Sequence, residues 1–384
     1  MEYIKRLLNI EADVKSKSVF LFGPRQTGKT SLLRSLFPGA PTFNLLNSDT
    51  FTALSARPAQ MRLDLLQTPS RWTELPIIVD EIQKLPGLLD EIHLCIEEHG
   101  MKFVVTGSSP RKLKRGDVNL LGGRARTRRL FPLVYREIPN FSLDRALHFG
   151  TIPSIYFSDD PTDDLLSYAG NYLLQEIVNE GLVRRIENFS RFLQTAALSN
   201  TELINFESIA RDAMVPARTI REYCSILEDT LVAVQLKPYG RDLHRKAVST
   251  SKLYFFDIGV ANALVKSFSF GDKSTEYGKC FEHFIFTELW AYLSYARDLR
   301  PLTFYRDQGG LEIDFVVGDD IALEVKSTTS VQEKHVKALR MAAEAGSFKH
   351  SILVSRDPQP RTIDRIEALP YDIFLTKLYT GEYC

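Results

Sequence analysis

The sequence is poor in the features that would place it outside the ordinary run of globular chains. It has only four cysteines, Cys95, Cys224, Cys280 and Cys384, in 384 residues. They are scattered, with neither metal-ligand nor redox spacing, which excludes a disulfide framework or zinc module and fits a reducing, cytoplasmic setting. No apolar run approaches the roughly 18 residues that span a bilayer. The opening "MEYIKRLLNIEADVKSK" reads as an amphipathic helix; no apolar stretch follows it as a secretion signal would require. Formal net charge is zero, so overall composition points to neither a polyanion nor a membrane surface. A strong local excess exists nonetheless: eight basic residues against Asp117 alone between Arg111 and Arg129.

What is present is a long chain with globular composition, too long for one core and suited to two or three domains. The stretch "KSVFLFGPRQTGKTSLLRSLF" sets a short apolar run, Val19 to Phe22, directly before Gly23, with a leucine pattern at helical spacing after Thr30. Gly23, Pro24, Arg25, Gln26, Thr27, Gly28, Lys29 and Thr30, followed by Ser31, fit G-x-x-x-x-G-K-S/T in its strand–loop–helix context. Glycines let the backbone curl so that its N–H groups face phosphate oxygens at a helix N-terminus. Lys29 can reach the β- and γ-phosphates of ATP, and the Thr30 hydroxyl can ligate Mg²⁺. By chance the pattern should arise in roughly 1% of chains this long, so nucleotide binding is the expectation.

About 50 residues on, "ELPIIVDEIQKLP" is an apolar strand ending in Asp80 and Glu81. One carboxylate there can hold the metal's water shell and the next can polarise an attacking water. Two acids opening a helix would be the structural alternative. "MKFVVTGSSP" is a further buried strand, and Ser108 or Ser109 at its end can sense a γ-phosphate. "LLGGRARTRRLFPLVYREIP" then runs from a glycine turn into an arginine-rich strand.

On "GPRQTGKT", "IIVDEIQKLP", "FVVTGSS" and "GRARTRRLFPLVYREI", the chain resembles the AAA+ ATPases that join a P-loop core to a C-terminal DUF4143 region. The resemblance implies an arginine before the fifth core strand that reaches the γ-phosphate of a neighbouring subunit: Arg124, with Arg126 as second choice. It therefore implies a homo-oligomer, commonly a ring such as a hexamer.

From about Ser142 to Asn200 the pattern is helical. "FGTIPSIYF" keeps Gly150 and Pro153 of a Gly-Gly-aromatic-Pro element common in the family. "NFESIARDAMVPARTIREYCSILEDTLVAVQL", continuing to "KLYFFD", reads as a helix over Phe206–Ala213, a turn, a helix opening near Pro216 and two strands. This resembles a winged helix, with Arg218, Thr219, Arg221 and Glu222 exposed on the second helix. A basic tip would contain Lys237, Arg241, Arg245, Lys246 and Lys252. Arg218, Arg221, Arg241, Arg245 and Lys246 are its candidate DNA contacts, and DNA, duplex or branched, the expected partner.

In the last third, "TEYGKCFEHFIFTELWAYLSYA" is an apolar helix carrying Glu282 and Glu288. "LEIDFVVGDDIALEVKSTTS" is two strands about a turn, with Asp314 on the face of Glu312, and Glu324 on that of Lys326. E-x-K alone occurs about once per chain of this length. A helix acid, a strand aspartate and then Glu-x-Lys resembles the PD-(D/E)xK nucleases. That resemblance implies Mg²⁺ held by Asp314, Glu324 and Glu282, or less simply Glu288, with Lys326 at the scissile phosphate.

The expectation is thus an α/β chain: an AAA+ P-loop core with a parallel sheet (1–140), a helical bridge (141–200), a winged helix (201–268) and a restriction-endonuclease-like α/β domain (269–384). Its function would be ATP hydrolysis, with Mg²⁺, to remodel or migrate branched DNA in repair. An ATP-gated nuclease and a nucleotide-switched scaffold that binds protein are the alternatives.

Overall fold

The computed structural model describes residues 3–69, 72–110, 121–172, 185–240, 243, 247–344 and 348–383. The chain divides into two compact units, Met1–Leu133 with Asp229–Val232, and Val134–Glu228 with Ala233–Cys384.

The first unit is built on five parallel strands: β1 (Ser18–Phe22), β2 (Thr42–Asn44), β3 (Ile77–Asp80), β4 (Phe103–Gly107) and β5 (Ala125–Arg129), in the order β2-β3-β4-β1-β5. β1, β3 and β4 are buried along their whole length, which explains why they read as continuous apolar runs without alternation. Each parallel step needs a crossover. Helices α1 (Glu11–Ser16), α2 (Lys29–Leu36), α3 (Ser48–Ala56), α4 (Gln60–Gln67) and α5 (Leu88–His99) accompany the sheet. α5 ends at Gly100, whose φ of 65° is the left-handed C-cap that glycine adopts without strain. Phe20, Phe22, Ile77, Val79, Phe103 and Val105 meet Leu54, Met61, Leu65, Leu89 and Ile92 in one core, which Leu231 joins from the returning segment. Each such side chain contributes roughly 1.5–3 kcal/mol on full burial.

β5 carries charge at alternate positions. Arg126 and Arg128 both turn to Asp13 of α1, which is fully buried; Arg126 Nη1 lies 2.8 Å and Arg128 Nη2 2.7 Å from it. Breaking such a pair strands a buried carboxylate, which ties α1 to the edge of the sheet.

The second unit begins with α6 (Leu143–Phe149), followed by short helices at Pro153–Tyr156 and Pro161–Ser167 and by α7 (Ile186–Leu198). The glycine of "FGTIP" has a packing reason. Gly150 has φ 71°, and a Cβ there would lie 2.0 Å from Asp257 Oδ1. That carboxylate accepts from Thr151 N (2.8 Å) and caps α10 (Ile258–Leu264) through Val260 N (3.2 Å).

α8 (Phe206–Ala213), a left-handed Met214 (φ 54°) and α9 (Ala217–Asp229) form the expected helix–turn–helix, followed by the antiparallel pair β6 (Ala233–Leu236) and β7 (Lys252–Phe255). The tip differs from the expectation. The chain after β6 lies along the outer edge of β8 (Leu302–Arg306): Tyr239 N donates to Phe304 O (2.6 Å), Phe304 N to Lys237 O (3.2 Å) and Val248 N to Arg306 O (2.9 Å). An unpaired edge is thereby covered. Lys252, read as part of the exposed basic tip, is only 3% exposed.

β8 opens a six-stranded sheet with β9 (Glu312–Val317), β10 (Ile321–Lys326), β11 (His350–Ser355), β12 (Arg361–Ile363) and β13 (Ile366–Pro370), ordered β12-β13-β11-β10-β9-β8. β8, β9 and β10 form an antiparallel meander, while β10, β11 and β13 are parallel. α11 (Thr275–Ala296) and α13 (Tyr371–Thr380) cover one face, where Phe284, Phe286, Phe315, Leu323 and Val354 pack. α12 (Lys337–Glu344) covers the other through Leu339 and Ala342 against Val316 and Leu353. Leu147, Leu236, Tyr254 and Ile258 belong to the core under α11, so the helical and winged-helix stretches share it with this sheet.

Candidate functional site

In a parallel sheet the carboxyl ends of the strands face one side, where α/β proteins bind ligands. Gly23, Asp80 and Ser108 follow or end β1, β3 and β4, so the first unit gathers its motif residues there. The loop between β1 and α2 needs its glycines. A Cβ on Gly23 would stand 2.3 Å from Leu130 O, and Gly28, the N-cap of α2, has φ 92°. Lys29, 6% exposed, points into the loop, its ammonium donating to Gly23 O (2.7 Å) and Pro24 O (3.1 Å). A lysine held over its own loop in this way matches a phosphate-binding role. Arg6, outside the motif, donates to Thr27 O (2.6 Å) and to Phe131 O (2.7 Å), bracing the loop against the chain after β5.

Asp80 is 3% exposed and receives two hydroxyls: Thr30 Oγ1 on Oδ2 (2.9 Å) and Thr106 Oγ1 on Oδ1. The Thr30–Asp80 pair is an oxygen donor set of the kind Mg²⁺ takes beside a nucleotide. Thr106 also accepts from Glu81 N (3.3 Å). Glu81 has φ 63°, unusual for a residue with a side chain and a form of local strain found at functional positions. Gln83 Nε2 donates to Glu81 Oε2 and to Ser108 Oγ (3.0 Å), and a Cβ on Gly107 would meet Gln83 Oε1 at 2.8 Å. Ser109 instead donates to Asp229 O (3.0 Å).

Of the residues expected from sequence, Thr30, Asp80, Glu81 and Ser108 are therefore joined by a continuous hydrogen-bonded set, with Lys29 held separately over the loop. Thr106 and Gln83 complete it and were missed. A hydroxyl inside the apolar run "FVVTG" was the available signal for Thr106.

Arg124 precedes the first residue of β5, which pairs in parallel with β1 from Ser18↔Ala125 to Phe22↔Arg129. It is thus a strand length, about 17 Å, from the loop end of its own sheet. Its Nε donates to Glu97, both side chains being partly exposed, and such pairs are weak and salt-screened. Arg126, the second choice, is committed to Asp13. A cavity of about 550 Å³ opens at the amino ends of the strands, lined by Lys15, Phe37, Trp72 and Lys102 among others; no motif residue lines it.

In the second unit, Arg218 is 92% exposed on α9, with Glu222 at 3.7 Å, and Arg221 lies over the Phe206 ring (4.4 Å). Arg241, Arg245 and Lys246 lie outside the described residues, as does the basic stretch 111–120.

The nuclease-like residues do come together. Glu282 on α11, Asp314 on β9 and Glu324 with Lys326 on β10 converge, and Asp314 Oδ2 accepts from Val325 N (2.8 Å). Glu288 is elsewhere: buried, it accepts from Tyr135 N and Tyr379 Oη, both at 2.8 Å. What sequence reasoning missed is Lys252 of β7. Its ammonium lies 2.6 Å from Glu312 Oε1, 3.1 Å from Glu282 Oε1 and 4.0 Å from Asp314 Oδ1. Two residues on, Tyr254 Oη donates to the same Glu282 oxygen (2.5 Å). Lys326 lies 2.5 Å from Glu324 Oε1 and 3.9 Å from Asp314 Oδ2. Burial pushes the Glu282 and Glu324 carboxyls up, Asp314 adding to both while the lysines oppose. For Lys252 the carboxylates outweigh burial and hold the ammonium protonated. Among the described residues, no three His, Cys, Asp or Glu side chains are arranged to hold a metal ion. A divalent ion needs the carboxylate oxygens to itself; here Lys252 stands among them, so the donor set as folded does not fit the metal that the nuclease resemblance implied. Beside the cluster a cavity of about 530 Å³ is lined by Glu312, Glu324, Lys326, Lys334 and Lys337 among others.

Among the described residues no helix is long and apolar enough to cross a membrane. Comparison with known families matches an AAA domain to residues 15–139, the domain of unknown function DUF8612 to 140–270, and the domain of unknown function DUF4143 to 277–374. An uncharacterized protein of Mycobacterium tuberculosis is 25% identical over 370 residues, covering 93% of this chain and 81% of the relative. One from Haemophilus influenzae is 24% identical over 378 residues, 90% and 91% of the two chains. Among solved structures, the Aeropyrum pernix ORC1 protein in complex with DNA is 16% identical, with a TM-score of 0.25 over 68% of this chain and 93% of the other. A STAND protein with a tetratricopeptide repeat sensor from Pyrococcus horikoshii is 16% identical, with a TM-score of 0.27 over 77% and 48%. The five-stranded parallel P-loop core thus lies in the part of the chain that matches an AAA domain, and the six-stranded sheet in the part that matches DUF4143.

Proposed function

We propose that the AAA domain hydrolyses ATP and that the chain uses this hydrolysis on DNA. The observation that carries the first part is the hydrogen-bonded set from Thr30 through Asp80 and Thr106 to Glu81, Gln83 and Ser108, beside a loop that only glycine can close at Gly23. In this reading the backbone of Gly23–Thr30 receives the phosphates, and Lys29 moves its ammonium from the loop carbonyls to the β- and γ-phosphate oxygens. Mg²⁺, when bound with nucleotide, neutralises phosphate charge and polarises the γ-phosphoryl group. Thr30 and Asp80 would hold it. Glu81 orients and polarises the attacking water, Gln83 fixes the Glu81 carboxylate, and Ser108 reports on the γ-phosphate through that same amide. Arg124 is too far from its own loop along the strand, so it acts on the nucleotide of a neighbouring copy. A homo-oligomer follows from that role.

The DNA part rests on the helix–turn–helix, whose second helix presents Arg218 and Arg221 away from its buried side at Ile220, Tyr223, Cys224, Ile226 and Leu227. Arginines on such a face contact phosphates or base edges. Steady-state ATP hydrolysis on duplex, single-stranded and branched DNA tests it. The proposal expects at least one form to raise the rate, and the combined Arg218→Ala and Arg221→Ala replacement to reduce that rise. Equal rates with and without every DNA form would remove DNA from the account and leave the ATPase reading standing.

A further inference from the structure

Lys252 is the last residue one would expect at the centre of a nuclease-like cluster. It comes from β7, outside the six-stranded sheet, and is 3% exposed. A buried ammonium is costly unless its charge is matched. Here it is matched by Glu282 at 3.1 Å and Glu312 at 2.6 Å, with Asp314 at 4.0 Å and the Phe304 ring at 5.5 Å. Glu282 and Asp314 are two of the three carboxylates that the nuclease resemblance assigns to a divalent ion; the third, Glu324, pairs with Lys326 instead. Tyr254, on the same face of β7, adds a hydroxyl to Glu282.

We infer that this cluster carries its own cation: the Lys252 ammonium takes the place of a divalent metal and makes the three acids Glu282, Glu312 and Asp314 a clamp joining β7 to β9 and α11. As folded, the cluster binds no divalent ion and cuts no phosphodiester. Its carboxylates are held by direct ion pairs, and strand β7 cannot leave without exposing them uncompensated. The inference stands on the second unit alone and does not depend on the ATPase reading.

Removing the ammonium while keeping the side chain's length turns the prediction around. In Lys252→Met the same acids repel one another and should recruit a divalent ion. The test is Mn²⁺ titration of the full chain without nucleotide, followed by electron paramagnetic resonance, in wild type, Asp314→Asn, Lys252→Met and the Lys252→Met/Asp314→Asn pair. Wild type and Asp314→Asn should bind Mn²⁺ alike. Lys252→Met should gain a site at least tenfold tighter than any Asp314-dependent binding in wild type, and the pair should lose it. A folded Lys252→Met chain with no gain overturns the substitution of ammonium for metal. If that chain fails to fold, Lys252→Gln takes its place. The wild-type arm decides independently: Asp314-dependent Mn²⁺ binding, or a rise in Tm with Mg²⁺ that Asp314→Asn abolishes, overturns the inference.

Discussion

Glu288 lends itself to a quantitative test of how the second unit is held together. It sits on α11, 1% exposed, with the Tyr135 N–H on one oxygen and the Tyr379 hydroxyl on the other, both at 2.8 Å. Burial raises its carboxyl from 4.5 to about 8 despite those donors, which favour the charged form. A carboxyl that holds its proton more tightly folded than unfolded adds stability that is complete below the unfolded value. That stability is lost as pH rises, and the loss levels off above the folded value. At 1.36 kcal/mol per unit, Glu288 alone removes about 3 kcal/mol of stability between roughly pH 5.5 and 8.5. Glu288→Gln keeps the shape of the neutral acid and cannot ionise. It should lie within about 1 kcal/mol of wild type near pH 5.5 and exceed it by roughly 3 kcal/mol near pH 8.5. Urea unfolding read at Trp290, on the same helix, in a Trp72→Phe background reports the second unit; those two are the chain's only tryptophans. Both chains share every other titrating group, so the difference between them isolates Glu288. Wild-type and Glu288→Gln curves that run parallel across this range would refute the reasoning.

Other consequences concern the first unit. Thr106→Val keeps the volume but leaves a buried Asp80 oxygen and the Glu81 N–H without this partner. A cost of about 1–3 kcal/mol is expected, and hydrolysis should fall by at least tenfold while nucleotide affinity, measured with a fluorescent analogue, moves far less. Gly23→Ala forces a Cβ to 2.3 Å from the Leu130 carbonyl. It should abolish nucleotide binding by calorimetry, whereas Gly39→Ala, where nothing lies within 4 Å of the added carbon but φ is 81°, should bind normally with only a modest loss of Tm.

The P-loop, Asp80 and Glu81 were legible in the sequence because each depends on a local pattern: an apolar strand, a turn of required residue types, a helix. The helix–turn–helix was legible for the same reason, its first helix falling on Phe206–Ala213 as expected. Thr106 and Gln83 were not, because their roles arise only when β3 and β4 are set side by side. Lys252 shows the same gap more sharply. At the head of "KLYFF" it reads as a strand-flanking cation, and nothing local reveals that its strand will lie beside Glu282 and Glu312. The nuclease-like acids were identified by type and order, and three of them, Glu282, Asp314 and Glu324, do converge; Glu288, the second choice, belongs to another contact. The cation that lies among Glu282, Glu312 and Asp314 comes from a residue more than twenty positions upstream of α11. Arg124 and Arg126 could not be ranked physically from sequence either. Only the register of β5 against β1, and the fully buried Asp13, separate an arginine free to leave its partner from one that is not.

The central claim is that one hydrogen-bonded set around Asp80 and Glu81 performs ATP hydrolysis. Its most direct measurement compares wild type, Lys29→Ala and Glu81→Gln for both ATP binding and steady-state hydrolysis. Wild type should bind and hydrolyse; Lys29→Ala should lose both; Glu81→Gln should bind ATP as tightly as wild type and hydrolyse it at least a hundredfold more slowly. Undiminished hydrolysis in Glu81→Gln, or in Lys29→Ala, would contradict the account.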